Sequence, residues 1–172
     1  LLLCKLWYQY LDENYIIVYD HKTNILTDVF LRSVKRINPE VSSEEVSTLY
    51  SKVVNMADNA DLGREFYALL SANSGVKLVD FENPDNNEWH VTTEFTCHND
   101  ETDDEFRPDI TCFVNGMPLA FIEVKKPNNH EGILAERDRI NVRMSKKCFR
   151  PFFNITQLMI FSNNQEYDNT NR

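Results

Sequence analysis

Cysteine, glycine and proline are scarce in this sequence. It contains 4 cysteines, 4 glycines and 6 prolines in 172 residues. Cys4, Cys97, Cys112 and Cys148 form no Cys-x-x-Cys pair, which disfavours zinc ligation and a disulfide framework and favours reduced thiols in the cytoplasm. The sequence also lacks Gly-x-x-x-x-Gly-Lys-Ser/Thr, so these residues hold no phosphate-binding loop for ATP.

Long apolar runs are absent as well. No stretch approaches the ~20 apolar residues that span a bilayer, and Leu1–Leu6, interrupted by Lys5, is too short for a signal peptide. We therefore expect a soluble protein without a membrane partner. Because the sequence starts at Leu1 rather than Met, we also expect a piece of a longer chain.

The overall composition is typical of a folded globule. Hydrophobic residues make up 42% of the sequence and aromatic residues 12%, which is enough to form a core. We predict a single domain over residues 1–172, with an N-terminal helical part at about 1–60 and a core at about 61–168.

Apolar periodicity predicts four helices. The first helix is predicted from Ile25 to Ile37, and the second begins at a capping box, Ser42-Ser43-Glu44-Glu45. The third is predicted from Leu62 to Leu70 and the fourth from Glu131 to about Lys147. In the last helix the expected apolar contacts are Ile133, Leu134, Ile140, Val142 and Met144.

Runs of β-branched and aromatic residues predict the strands, which are Tyr15–Tyr19, Val76–Phe81, Glu88–Cys97, Ile110–Val114, Leu119–Val124 and Gln157–Phe161. The last strand is expected beside the one before it, reached through the preceding helix by a right-handed crossover. The sum is an α/β fold with a mixed central β-sheet flanked by helices.

Asn115-Gly116, between two of these runs, is a strong hairpin signal because both residues tolerate positive φ. The length of the loop decides which side chains share a face. A two-residue loop would set Asp109 opposite Ile122. A three-residue loop that includes Met117 would set Asp109 opposite Glu123, and we expect this longer loop.

Glu123 and Lys125 are two residues apart, so on a strand they point to one face. With Asp109 they would form a patch of two carboxylates and one ammonium group. Two carboxylates can hold Mg²⁺, which polarises a phosphodiester and lowers the pKa of a coordinated water. A neighbouring lysine can orient that water or offset transition-state charge. These residues alone leave an alternative open, in which Glu123 and Lys125 form the solvated face of an ordinary amphipathic strand.

The same residues resemble a known family. Pro108-Asp109, followed across the hairpin by Glu123-Val124-Lys125, looks like the PD-(D/E)xK nuclease superfamily. The wider pattern, over roughly Leu62 to Asp168, resembles the N-terminal nuclease domain of the R (restriction, motor) subunit of type I restriction enzymes. It comprises Arg107-Pro108-Asp109-Ile110, Val114-Asn115-Gly116-Met117-Pro118-Leu119, Ile122-Glu123-Val124-Lys125-Lys126-Pro127, Val79–Pro84, Phe153–Gln157 and Phe161–Asn164.

The resemblance implies a restriction-endonuclease-like core and a Mg²⁺-dependent endonuclease that hydrolyses phosphodiester bonds of double-stranded DNA. It makes Asp109, Glu123 and the backbone carbonyl of Val124 metal ligands and Lys125 the catalytic lysine. Glu65 would be a further acid that assists the metal, although an exposed helix glutamate is the other interpretation. The full-length subunit would bind ATP and work with methyltransferase and specificity subunits.

The sequence departs from the family pattern in one element. Many members carry Gln-x-x-x-Tyr on the helix after the lysine, and the corresponding stretch here runs from Ala135 to Arg143 without it. Arg139 and Arg143 are four residues apart and share a helix face. Together with Lys126 they are the candidate contacts to DNA phosphate.

The net charge of −9 speaks against autonomous DNA binding, because phosphate contacts dominate DNA affinity. Residues 85–109 carry nine acids against one base, whereas residues 121–150 carry eight bases against four acids. We expect other domains or subunits to deliver the DNA.

The rival hypothesis is a non-catalytic docking module of the same fold that couples the motor to the methyltransferase subunits. A free-standing repair nuclease fits the charge poorly.

Overall fold

The computed structural model describes residues 8–12, 19–72, 74–98, 105–126 and 130–163. In these ranges the chain forms five strands and five α-helices. In chain order they are β1 (Gln9–Tyr10), α1 (Thr27–Ile37), α2 (Ser43–Ala57), α3 (Arg64–Leu70), β2 (Trp89–Thr93), β3 (Ile110–Val114), β4 (Met117–Val124), α4 (His130–Ser145), α5 (Arg150–Ile155) and β5 (Leu158–Ser162).

The strands form one mixed sheet whose spatial order follows the chain, from β1 to β5. The two outer pairs, β1 with β2 and β4 with β5, are parallel, and the two inner pairs are antiparallel. The predicted α/β fold with a mixed sheet flanked by helices is confirmed, and β5 lies beside β4 as expected. None of the helices in the described ranges combines the length and the apolar character needed to cross a bilayer.

The predicted capping box begins α2. The backbone N–H of Glu45 donates to Ser42 Oγ at 3.2 Å, and the N–H of Ser42 donates to Glu45 Oε2 at 2.8 Å. Both groups would otherwise be unsatisfied donors at the start of the helix. The face that α2 buries consists of Val46, Leu49, Val53 and Ala57.

The hairpin loop is shorter than predicted, yet the register at its far end is the predicted one. Val114 pairs with Met117, so the loop is the two residues Asn115-Gly116, with φ of 49° and 79°. These are the angles of the hairpin turn that suits the strand twist. A β-bulge then follows, because Leu119 is an extra residue between two successive pairs. The bulge shifts the register by one residue, which the three-residue loop was expected to do.

The predicted strand at Val76–Phe81 is wrong. This segment is irregular, and side-chain amides satisfy its backbone instead of a neighbouring strand. Asn38 bonds both the N–H and the carbonyl of Lys77, each at 2.9 Å, and Asn115 Nδ2 donates to the carbonyl of Leu78 at 2.9 Å. Buried backbone groups must find partners, and here asparagines supply them. Strand propensity alone could not show that side-chain amides, rather than a neighbouring strand, bond this backbone.

Other boundaries also differ from the prediction. The strand expected to reach Cys97 ends at Thr93, because Glu94 adopts a φ of 51°. Residues 15–18 of the predicted Tyr15–Tyr19 strand lie outside the described residues, so that strand stays a prediction, and β1 is an additional strand that was not predicted. Helix α5 was not predicted.

Helix α4 lies on the side of the sheet that carries an aromatic cluster, Phe106, Phe121, Phe149, Phe152 and Phe153. Leu134 and Val142, expected to pack inward, are instead 53% and 60% exposed. The inward stripe of α4 contains Glu136 and Ile140, each at most 5% exposed. A carboxylate therefore occupies a position where the apolar pattern predicted only hydrophobic contacts.

Candidate functional site

The end of β4 carries the acid and the lysine of the Glu-x-Lys sequence. Glu123 is only 5% exposed and lies on the same strand face as Phe121, so it points toward the aromatic cluster and α4. Lys125 follows the last residue of β4, and its backbone N–H donates to the carbonyl of Ser162 on β5 at 2.7 Å. The parallel β4–β5 pair thus fixes the backbone of both residues.

Asp109 immediately precedes β3 and is held from two sides. Its carbonyl accepts the N–H of Glu94 at 3.1 Å, and its Oδ2 accepts the backbone N–H of Val124 at 2.7 Å. Since Ile110 pairs with Ile122, the next position outward sets Asp109 opposite Glu123. The structure therefore brings Asp109, Glu123 and Lys125 together at one end of the hairpin.

A third carboxylate, which the sequence analysis did not assign to the site, completes the cluster. Lys125 Nζ lies 3.0 Å from Oε2 of Glu136 on α4 and 3.6 Å from Oε2 of Glu123. The lysine is therefore bound between a strand acid and a helix acid. Glu136 could have been noticed because it lies four residues before Ile140, on the face that α4 turns to the core.

Burial and the neighbouring carboxylates raise the pKa of Glu123 to about 7. Burial is the largest cause, because it penalises the charged carboxylate, and the negative charges of Asp109 and Glu136 add to it. Lys125 opposes the shift but does not cancel it. For Lys125 itself burial lowers the pKa, yet the hydrogen bond to Glu136 and the three carboxylate charges outweigh burial, so the pKa is raised.

The three residues expected to contact DNA phosphate differ in their exposure and in their ion pairs with Glu136. Arg139 is 68% exposed and its Nη1 lies 3.0 Å from Glu136 Oε2. Arg143 is only 28% exposed, lies 3.9 Å from Glu136 Oε1, and stacks its guanidinium 5.0 Å from the centroid of the Phe106 ring. Lys126 is exposed just beyond the end of β4.

The remaining predicted ligand, Glu65, lies in the first turn of α3. It is exposed, its Oε2 accepts Asn59 Nδ2 at 2.7 Å, and its N–H donates to Asp61. These contacts tie it to the turn before α3, and its role as a metal ligand stays a prediction. The same holds for the carbonyl of Val124.

The donor set at Asp109 and Glu123 suits a hard divalent cation. In the described part of the chain no group of three or more His, Cys, Asp or Glu side chains is arranged to hold a metal. Mg²⁺ commonly takes only one or two carboxylates from the protein and completes its shell with water and substrate oxygens. The pKa of Glu123 is raised first by burial and then by the negative charges of Asp109 and Glu136, and a bound cation would offset those charges.

These features define an α/β domain with a mixed sheet and, at the end of one hairpin, a partly buried site of three acids and one lysine. A family model for the N terminus of the type I restriction enzyme R protein matches residues 1–171, and the chain belongs to that family. A protein of Methanocaldococcus jannaschii, provisionally named the endonuclease subunit of the type I restriction enzyme MjaIXP, is 29% identical over 164 residues. That match covers 85% of this chain and 15% of the relative, so the chain spans a small part of the relative's length.

Proposed function

We propose that this domain is the nuclease of a type I restriction enzyme R subunit, with a PD-(D/E)xK-type active site. The observation that carries the proposal is the hydrogen bond from the Val124 N–H to Asp109 Oδ2, 2.7 Å long. It joins the Pro-Asp and Glu-x-Lys parts of the motif through the backbone N–H of Val124, the residue between Glu123 and Lys125. A solvated strand face has no need of such a link.

In this function Asp109 and Glu123 hold Mg²⁺, with the Val124 carbonyl as a candidate third ligand. The metal supplies polarisation of the scissile phosphate and acidification of a bound water. The raised pKa of Lys125 keeps its amine protonated near neutral pH. Lys125 therefore acts as a charged donor that orients the attacking water and offsets negative charge in the transition state, rather than as a base.

The substrate proposed is double-stranded DNA, approached along α4, where Arg139 presents its charge to solvent. Lys126 and Arg143 are the other proposed phosphate contacts. Because the whole chain has a net charge of −9, other parts of the enzyme must bring the DNA to this site. The proposed assembly is an ATP-driven full-length subunit with its methyltransferase and specificity subunits, and the ATP site lies elsewhere in that subunit.

The direct test is isothermal titration of Mn²⁺ into the full-length subunit, with Glu123→Ala and Asp109→Ala variants, alongside DNA cleavage by the assembled enzyme. We expect the wild type to bind Mn²⁺ and cleave DNA, and both variants to lose cleavage and bind the metal more weakly. ATP-driven translocation should continue in both, because the motor is separate from this site.

Asp138→Asn is the matched control, since Asp138 is an exposed acid on α4 that pairs with Arg137. It should leave metal binding and cleavage unchanged. Cleavage that survives both Asp109→Ala and Glu123→Ala would remove the nuclease assignment. Equal Mn²⁺ binding by wild type and Glu123→Ala would favour a docking module instead.

A further inference from the structure

We infer that Glu136 is a positioning residue that holds the amine of Lys125 in its working place. The inference rests on the proposed nuclease function and adds to it a residue from a separate element, α4. No part of the Pro-Asp and Glu-x-Lys motif includes this glutamate.

The first support is the geometry at the lysine. Lys125 Nζ is 3.0 Å from Glu136 and 3.6 Å from Glu123, so the helix acid makes the closer contact. A lysine side chain has four flexible carbons and loses about 2 kcal/mol of rotamer entropy when it is fixed. A contact that holds the ammonium group of Lys125 removes that side-chain freedom before substrate binds.

The second support is that Glu136 is itself held firmly. It is 5% exposed, so few solvent molecules compete for its oxygens. Arg139 lies 3.0 Å from Oε2, and Arg143 lies 3.9 Å from Oε1 while stacking on Phe106. A carboxylate fixed by two arginines of its own helix is a rigid support for a third cation.

The third support concerns Glu123. If Lys125 were held by Glu123 alone, one acid would have to serve the ammonium and the metal together. The closer contact to Glu136 relieves Glu123 of that task. The ammonium then stays 3.6 Å from Glu123 Oε2, while its closer contact is to an acid outside the proposed metal ligands.

The test compares Glu136→Ala, Glu136→Gln, Lys125→Ala and the Lys125→Ala/Glu136→Ala pair in the full-length subunit within its complete restriction complex. DNA cleavage is measured as kcat and KM, and thermal unfolding reports on the fold. We expect Glu136→Ala to lower kcat about 10²-fold, the usual cost of misplacing a catalytic group by about 1 Å. KM for DNA should not rise. Glu136→Gln keeps an acceptor of the same shape and should lose less.

The double variant gives the sharpest result. If Glu136 works through Lys125, removing it from an enzyme that already lacks Lys125 should change kcat no further. Asp138→Asn on the same helix is the control and should cleave like the wild type.

Three results would overturn the inference. Glu136→Ala could cleave at the wild-type rate while Lys125→Ala is inactive, which would leave the nuclease function standing without this residue. The two substitutions could be additive, or Glu136→Gln could lose its thermal transition, and either would make Glu136 only structural. Full cleavage by Lys125→Ala would instead refute the proposed function of the site, and the inference with it.

Discussion

The side chain of Asp109 accepts a 2.7 Å hydrogen bond from the backbone of Val124, across the open end of the β3–β4 hairpin. Asp109 therefore contributes both a hydrogen-bond acceptor and a negative charge, and an alanine substitution would remove both together. An asparagine can still accept the N–H through its Oδ1, but it carries no negative charge. The position of the site and its charge can therefore be altered one at a time.

We predict that Asp109→Asn preserves the fold and abolishes most cleavage. Losing one of two charged ligands should lower the rate by about 10³-fold, since a bound divalent cation contributes several kcal/mol in the transition state. Asp109→Ala should lose cleavage equally and also lower the unfolding temperature, because the Val124 N–H loses its acceptor. DNA cleavage and thermal unfolding, measured side by side, check both expectations. A destabilised Asp109→Asn variant would contradict this separation.

The elevated pKa of Glu123 predicts a stability that depends on pH. The folded value of about 7 lies above the usual 4.5, so between these values the folded state binds more protons than the unfolded state. Stability should therefore fall as pH rises from about 4.5 to about 7 and then level off. The shift corresponds to about 3 kcal/mol.

Glu123→Gln should remove this slope and make the protein more stable than the wild type at pH 8, as measured by urea unfolding across the pH range. Mg²⁺ should stabilise the wild type at pH 8 and leave the variant unchanged, because a ligand that binds only the folded state adds to its stability. Identical pH profiles for the two proteins would show that Glu123 does not titrate as described.

The hairpin turn packs so closely on the start of α1 that Gly116 has no room for a side chain. A Cβ there would lie 2.5 Å from the carbonyl oxygen of Leu26, and φ is 79°. Gly75 has a similar φ of 90° with nothing within 4 Å of the Cβ position. Gly75→Ala should thus cost only backbone strain, about 1 kcal/mol.

Gly116→Ala should cost that amount and a further ~1–3 kcal/mol for the forced shift of α1. Chemical denaturation of both variants measures the difference. Equal losses for the two glycines would mean that the contact between turn and helix can open freely.

The exposed guanidinium of Arg139 is expected to contact DNA phosphate. In the complete enzyme, Arg139→Ala should weaken DNA binding uniformly across sequences and reduce the slope of log K against log salt by about 1. Arg137→Ala is the control, because Arg137 is a similarly exposed base on α4 that pairs with Asp138. A salt slope that changes for neither variant would place the DNA path away from this face of α4.

The sequence carried enough information to predict the mixed sheet and four of the five α-helices of the described residues, because these depend on local patterns. The pairing of Asp109 opposite Glu123 was predicted from a three-residue loop, whereas the structure reaches it with a two-residue loop and a β-bulge. Whether a hairpin gains its extra residue in the loop or as a bulge at Leu119 depends on how the strand twists against its neighbours. Both devices give the same register, so the sequence could not distinguish them.

Two further features depend on contacts that are distant in the chain. The segment from Val76 to Phe81 has strand-like residues, but Asn38 and Asn115 reach it from elsewhere and satisfy its backbone. The spacing of Glu136 from Ile140 places it on the core face of α4, but only the packing of that helix against the sheet brings it to Lys125. Tertiary contacts override local propensity in both cases.

The backbone N–H of Lys125 is bonded to the carbonyl of Ser162, at the end of β5. The chain that continues beyond β5 therefore departs one hydrogen bond away from the proposed catalytic lysine. Tension along that continuing chain would load this bond directly, since parallel strands pulled along their length share the force through their ladder.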